Sequence, residues 1–490
     1  MASSAKDSGN GAVPFGVKVA YGLGDIYGGG SFNIINFLYA FYLANIVGIS
    51  TGWAAVVMMT ARLWDAVSDP LMGAITDATR TRLGRRKPYF IAGIPLIVLS
   101  MIWIWYPAAI ENEALKVAYV MAGYLFYNTV ATLVMVPYMS LAAEVTLDYN
   151  ERNSVNTVRM IFSLGSSLMC AILPLAIVKS VSASTGSYAS GYLAMAVIVG
   201  LIFALPYVAV ILGVKERPDF SSAPSKDFGW ALMVKSFRVR SFRRLVVFYL
   251  AVFVSLDLIT TAFQFYMTYV LKRPDDFSAV LGILIVVEIL AALLTAPAAK
   301  RLGKRAACIA GCLLWIVVCL STIFLTPDTG PLIFLAAALL GIAMAFPVVL
   351  LNSLFADVTD VGELYFAHRM EGTFSGVQTF VRKCASAVAN ALFLAALGWS
   401  GFIAPTKTVV GLSETYVYHG QPDSLTWMIR ATVAFVPALM LGVGILVMAR
   451  WPITAERHGK ILRYLEVKRA GGEPERALAA EVETLRDTVL

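Results

Sequence analysis

Apolar residues run along the chain in twelve long stretches, at about 15–46, 51–77, 88–107, 115–146, 155–181, 191–214, 244–271, 278–299, 306–326, 331–356, 373–400 and 426–450. An α-helix needs about 20 residues to cross a hydrocarbon core. Backbone amides in lipid must pair internally, and these runs are too long and too continuous for barrel strands, so each predicts a membrane-spanning helix. The longest break, 215–243, is a linker. It separates a tail at 1–13 and six spans within 14–214 from six spans within 244–450 and a polar tail at 451–490. Within the linker, Phe228 to Phe237 is apolar between basic flanks, which predicts a segment lying on the inner membrane surface. In the last tail, Leu478, Val482, Leu485 and Val489 fall at helical spacing and predict a short amphipathic helix, a frayed tail being the alternative.

Composition turns this pattern into an exclusion. Of 490 residues, 59% are hydrophobic and 14% charged, against about 25% charged in a soluble domain, and mean hydropathy is +0.74. That rules out a cytosolic enzyme, a disordered chain and a disulfide scaffold. Cys170, Cys308, Cys312, Cys319 and Cys384 all lie in apolar stretches without a CxxC pair, so neither disulfides nor a zinc site is expected. The net charge of +8 matters through its location. Basic residues crowd Thr79–Lys87, the linker and Lys300–Arg305, while 108–114 carries two glutamates and 182–190 no charge. The positive-inside rule then places both termini in the cytoplasm of a multi-pass protein of the plasma (inner) membrane. The first residues lack the layout of a cleaved signal and read as a cytoplasmic tail.

Arg82-Leu-Gly-Arg-Arg86 recurs as Arg301-Leu-Gly-Lys-Arg305, each between the second and third span of its half. The matching position argues for two six-helix repeats, the build of many secondary transporters. The chain is expected to be an all-α membrane protein, with twelve transmembrane helices in two pseudo-symmetric six-helix bundles.

Ionisable residues inside spans are costly and mark function. They are Asp25, Arg62, Asp65, Asp69, Glu144, Arg159, Asp257, Glu288, Arg382 and Lys383. Most lie in the N-terminal half, which suggests that this half handles the ion. Asp65 and Asp69 share one helix face, about 6 Å apart along the axis. Two carboxylates so placed need a cation, a proton or a basic partner. Arg62, Arg159 and Lys383 are the basic candidates, and Ser68 adds a hydroxyl. Pro70 removes a backbone donor beside them and loosens the helix where an ion would sit.

Ala61-Arg-Leu-Trp-Asp-Ala-Val-Ser-Asp-Pro-Leu-Met-Gly73 and Asp77-Ala-Thr-Arg-Thr-Arg-Leu-Gly-Arg-Arg-Lys-Pro88 resemble the signature of the glycoside–pentoside–hexuronide:cation symporters of the major facilitator superfamily. The resemblance continues at Val136–Leu141, Asn150–Arg152, Ala356–Glu363, Arg369–Gly372 and Gln378–Lys383, so it covers the whole membrane domain. It implies a major facilitator fold and a cation site at Asp65, Ser68, Asp69 and Thr132, with sodium possible at the two carboxylates. It also implies that Lys383 couples ion to solute, and that Arg159, Gln378, Tyr21 and Asp25 serve the solute. The family's acidic sugar ligand in span four aligns with Met135, a tryptophan with Met139, and its acidic residue in span one near Gly29. Two methionines imply a more apolar, adaptable cavity than a galactoside needs. Gating is expected from Arg85 and Arg86 and from Arg301, Lys304 and Arg305, with Asp357, Asp360 and Glu363 as acidic partners.

The expected function is cation-coupled symport, by sodium or protons, of a small sugar or glycoside through alternating access. An amphipathic, lysophospholipid- or steroid-like solute is the alternative. A membrane enzyme or receptor is the different-class reading; no Ser-His pair, GxSxG elbow or GxxxxGK[ST] loop supports it. No cofactor is expected beyond the coupling ion. The expected partners are solute, monovalent cation and membrane lipid, not nucleic acid, with the protein a monomer.

Overall fold

The computed structural model describes residues 13–146, 149–216, 235–329, 331–366, 371–410, 413–469 and 472–489. The spans are α1 (Phe15–Val47), α2 (Thr51–Ala78), α3 (Lys87–Trp105), α4 (Glu113–Val145), α5 (Tyr149–Thr185) and α6 (Tyr188–Gly213). The second set is α7 (Arg240–Val270), α8 (Phe277–Leu302), α9 (Lys304–Ser321), α10 (Leu332–Phe366), α11 (Glu371–Trp399) and α12 (Asp423–Ala449). Eleven of these are long and apolar enough to cross a membrane. The twelfth, α2, has 28 residues and reaches about 42 Å at 1.5 Å per residue. It is less apolar because it carries Arg62, Asp65, Asp69 and Asp77. Most of the linker segment expected on the membrane surface lies outside the described residues.

Two compact units form, Met1–Pro224 with Leu394–Pro422, and Ser225–Phe393 with Asp423–Leu490. Within the first, α1 packs on α5 and α6, α2 on α4, and α3 on α4 and α6. Within the second, α7 packs on α12, α8 on α10, and α9 on α10 and α12, while Phe265 of α7 meets Phe393 of α11 with ring centroids 5.6 Å apart. The same pairings recur in the same order, so the internal repeat is real. Chain details repeat too. Pro70 and Pro297 interrupt the second helix of each half, Pro137 and Pro347 the fourth. The first helix of each half ends in a π turn, Leu43–Val47 and Tyr266–Val270. The glycine of the basic echo has φ +112° at Gly84 and +84° at Gly303, a backbone conformation that a side chain would strain.

Two elements go beyond the helical expectation for 401–425 and the tail. A hairpin, β1 (Thr406–Val410) paired antiparallel with β2 (Ser413–Val417), lies between α11 and α12. It belongs to the first unit: Glu414 N–H donates to Gly186 O at 2.5 Å and Tyr416 OH to Ile46 O at 3.3 Å. The C-terminal tail forms α13 (Ala455–Arg469) and α14 (Arg476–Val489). Val482 of the expected amphipathic face is buried and Leu478 packs beside it. Ile461 and Leu465 of α13, which the sequence pattern did not single out, join the same apolar core as Trp315 and Phe374.

Candidate functional site

In the first unit, α2 and α4 are stitched together by side chains one turn apart. Trp64 Nε1 donates to Thr129 Oγ1 at 2.9 Å. One turn on, Thr132 Oγ1 donates to Asp69 Oδ1 at 2.9 Å and lies 3.2 Å from Ser68 Oγ, which in turn reaches Asp65 O at 3.5 Å. Ser68 and Thr132 are buried, while Asp65 and Asp69 are partly exposed. Tyr27, Tyr124 and Tyr127 lie within electrostatic range of Asp65. The four expected cation ligands thus fall on two packed helices as a run of hard oxygen donors. Such donors suit an alkali cation or a proton rather than a thiophilic metal. Arg62, one turn before Asp65, hydrogen-bonds Asn36 Oδ1 at 2.6 Å and lies 4.8 Å from the Phe32 ring centroid. Neither of those α1 residues was singled out from the sequence.

A second cluster joins α1, α4 and α5. Arg159 Nε stands 3.8 Å from Asp25 Oδ2, and its Nη1 reaches Met139 Sδ at 2.9 Å. Tyr21 stacks on Tyr138 with centroids 4.8 Å apart, and Tyr138 OH donates to Tyr21 O at 2.7 Å. Tyr207 OH points at Met135 Sδ, 3.5 Å away. The structure brings Tyr21, Asp25 and Arg159 together with the two methionines. At Gly29 a Cβ would come 2.4 Å from Ser163 Oγ and 2.6 Å from Ser163 O. The acidic side chain of the resembling family therefore has no room there, and Asp25, one turn earlier, is the nearest carboxylate.

The second unit holds Gln378, buried, and Lys383, half-buried, on α11. Asp257 and Arg382, which the sequence marks only as charges inside spans, are paired here at 3.4 Å, and Ser386 donates to Asp257 as well. The Arg382 guanidinium lies 4.0 Å from the Phe253 ring centroid. An isolated charge at mid-membrane costs about 2.5–3.5 kcal/mol, which this pairing offsets.

The expected gating residues divide. The backbone N–H groups of Arg85, Arg86 and Lys87 donate to the Glu216 carboxylate at 2.6, 3.0 and 2.8 Å, and Arg86 Nη1 to Pro137 O at 3.0 Å. Glu216 caps the N-terminus of α3, where a negative charge is favoured. Sequence reasoning passed over it because it lies about 130 residues away. In the second unit Lys304 Nζ grips both Asp357 oxygens at 2.8 and 2.7 Å. Arg301 and Arg305 are exposed. Asp360 and Glu363 take partners from the tail: His458 Nε2 is 3.2 Å from Asp360 Oδ2, and Arg469 Nε donates to Glu363 Oε1 at 2.9 Å.

The family model for MFS/sugar transport proteins matches residues 20–455. The chain belongs to that family. It is a multi-pass membrane transporter and not an enzyme. A putative glycoside/cation symporter of Escherichia coli is 25% identical over 94% of this chain and 98% of its own. The sodium-dependent lysophosphatidylcholine symporter 1-B of Danio rerio is 24% identical over 86% of this chain and 84% of its own. The crystal structure of the nucleoside transporter NupG superposes with a TM-score of 0.61 at 11% identity, covering 88% of this chain and 98% of that one. At that identity it speaks for the fold alone.

Proposed function

We propose that this transporter is a symporter driven by sodium or protons, that it carries a small solute of sugar or glycoside type by alternating access, and that it works as a monomer in the plasma membrane with both termini in the cytoplasm. The run Asp65–Ser68–Asp69–Thr132 across α2 and α4 carries the reading. It gathers carboxylate and hydroxyl oxygens where lipid-facing helices ordinarily have none, and it lies beside the Asp25–Arg159–Tyr21 cluster of the same unit. Arg85, Arg86, Arg301, Lys304 and Arg305, with Asp357, Asp360 and Glu363, form the inner gate in this reading.

A second reading, an amphipathic solute, is favoured by Met135 and Met139. Their flexible, polarisable side chains sit against Tyr207 and Arg159 respectively, where a sugar site would have further hydrogen-bonding groups. Reconstituted vesicles with an imposed sodium or proton gradient decide between the two. The expected result is gradient-dependent accumulation of a methyl glycoside in the wild type. Accumulation of lysophosphatidylcholine alone selects the second reading, and uptake that ignores both gradients rejects symport.

A further inference from the structure

The first unit has an Asp–Arg pair between its first and fifth helices, Asp25 with Arg159. The second unit has one on the equivalent helices, Asp257 of α7 with Arg382 of α11. Beyond that second pair, both helices continue with polar side chains on a single face. Asp257, Thr261 and Gln264 fall at i, i+4 and i+7 on α7, and Arg382, Ser386 and Asn390 at i, i+4 and i+8 on α11, so each trio lies on one helix face. Two contacts set the parallel register of the helices: Ser386 against Asp257, and Phe393 against Phe265. Asn390 then stands near the level of Thr261, with Gln264 within one turn. Thr261 is satisfied by its own helix, donating to Asp257 O at 2.9 Å. Asn390 is 2% exposed and Gln264 8%. Yet among the described residues both amide atoms of Asn390, and Oε1 of Gln264, have no hydrogen-bond partner. Buried polar groups are paired as a rule, and unpaired ones call for a reason.

We propose that α7 and α11 form a solute subsite in the second unit, where Asn390 and Gln264 hydrogen-bond the hydroxyls of a neutral, polyhydroxylated solute. This deepens the glycoside reading and rests on it. The ligand class comes from the donor set. A carboxamide offers two N–H donors and a carbonyl acceptor, and Gln264 Oε1 is a second acceptor; neighbouring hydroxyls donate and accept in the same mixed pattern. The adjacent charges are already committed, since Asp257 is held by Arg382 and Ser386 and the guanidinium lies over Phe253. An anionic or cationic solute would have to break that pair, whereas a neutral one leaves it intact.

The test uses the full chain in proteoliposomes with methyl glycosides and their monodeoxy analogues. KM is measured for gradient-driven uptake, together with Tm of the purified protein without solute. Asn390→Leu removes the unpaired amide at similar volume. It is expected to raise KM about tenfold or more for the preferred glycoside. The apparent cation affinity stays unchanged, and Tm is equal or higher, because a buried amide without partners gives way to an apolar group. The deoxy analogue that lacks the recognised hydroxyl should be about tenfold weaker than the parent in the wild type and equal to it in the variant. Gln264→Met should show the same pattern with a different deoxy position, and serves if Asn390→Leu fails to fold. An unchanged KM in both variants overturns the subsite, as does a lowered Tm with the preference for parent over deoxy analogue preserved. If the wild type accumulates no glycoside under either gradient, the glycoside reading fails and the subsite with it. Glycoside uptake that is insensitive to both variants rejects the subsite alone.

Discussion

At the scale of single residues, burial and partnership decide which charged or polar groups belong to the chemistry. Thr132 is the informative member of the proposed cation site, because its hydroxyl touches both Asp69 and Ser68. Asp65→Cys and Asp69→Cys are each expected to abolish ion-dependent uptake while the protein still inserts and folds. Thr132→Ser keeps the oxygen and should keep coupling; Thr132→Val should weaken the apparent cation affinity about tenfold, in line with about 1.4 kcal/mol for a lost charge-assisted contact. Uptake against the cation concentration in vesicles checks this, and full accumulation by either cysteine variant sinks the site. The same scale shows what was legible in advance. Asp65 and Asp69 announce themselves by a spacing of four in an apolar run. Asn390 and Gln264 do not, because an amide in a span looks like any tolerated polar residue until its lack of a partner is seen. The Asp257–Arg382 pair was equally hidden, since its members are 125 residues apart and only packing joins them.

At the scale of elements, the twelve spans could be read from hydropathy because lipid imposes one solution on every long apolar run. The hairpin and α13 could not. Thr406–Val410 and Ser413–Val417 are short, mixed in polarity and stable only against the α5–α6 turn. Glu414 is the joint: Lys407 Nζ contacts its Oε1 at 2.8 Å, and Tyr188 N–H donates to its Oε2 at 3.1 Å. Partial burial opposes ionisation, but the Lys407 ammonium with the Tyr188 amide and the Ser187 hydroxyl outweigh it and hold the Glu414 carboxyl below its ordinary value. A carboxyl depressed in the folded state contributes stability above its unfolded pKa of about 4.3. That contribution is lost as pH falls through the lower folded value. Amide exchange in 406–417 should therefore be unchanged from neutral pH to about pH 5 and quicken below the ordinary carboxylate range. Glu414→Gln should show the fast exchange at every pH. A hairpin whose exchange is indifferent to both would mean that strand pairing alone holds it.

The tail helices are the other element the pattern only half revealed. Leu478 and Val482 were visible as an amphipathic face, whereas α13 is too charged to stand out and is anchored through Ile461 and Leu465. Together they clamp the inner end of α10: Arg469 on Glu363, His458 on Asp360, and Arg486 Nη2 donating to Leu364 O at 3.0 Å. With Lys304 on Asp357, this puts four basic side chains at a helix C-terminus, where the macrodipole favours them. Exposed pairs contribute about 0–1 kcal/mol each, so Arg469→Ala should lower Tm only slightly. Lys304→Ala, by contrast, removes the ammonium from the largely buried Asp357. If these residues form the inner gate, it should increase labelling of cysteines placed on the cytoplasmic ends of α10 and α11. Labelling equal to that of the parent would reduce the Lys304–Asp357 pair to a structural contact.

At the scale of the whole molecule, the proposed cation ligands belong to the first unit and Lys383 to the second, so coupling has to be a property of the two units together. Coupling is a free energy between sites and is reciprocal: whatever the cation does for solute affinity, the solute must do for cation affinity. Lysine suits such a role because its ammonium is a compact charge on a flexible stem that can exchange partners. Its retention in an apolar span, at about 2.5–3.5 kcal/mol if unpaired, argues for a task beyond packing. The expectation is that Lys383→Ala leaves the cation affinity measured without solute within about threefold of the parent, while the mutual enhancement collapses, from a typical value of about 5–150-fold for coupled sites toward unity. Titration calorimetry of each ligand in the absence and presence of the other measures both quantities on one preparation. Because Asn390 and Gln264 sit on the same side of the chain's division as Lys383, Asn390→Leu provides the contrast. It should weaken the solute in both the presence and the absence of the cation by the same factor, leaving the enhancement intact. If Lys383→Ala instead behaves like Asn390→Leu, with affinity lost and coupling kept, the lysine is a solute ligand and the coupling element lies elsewhere.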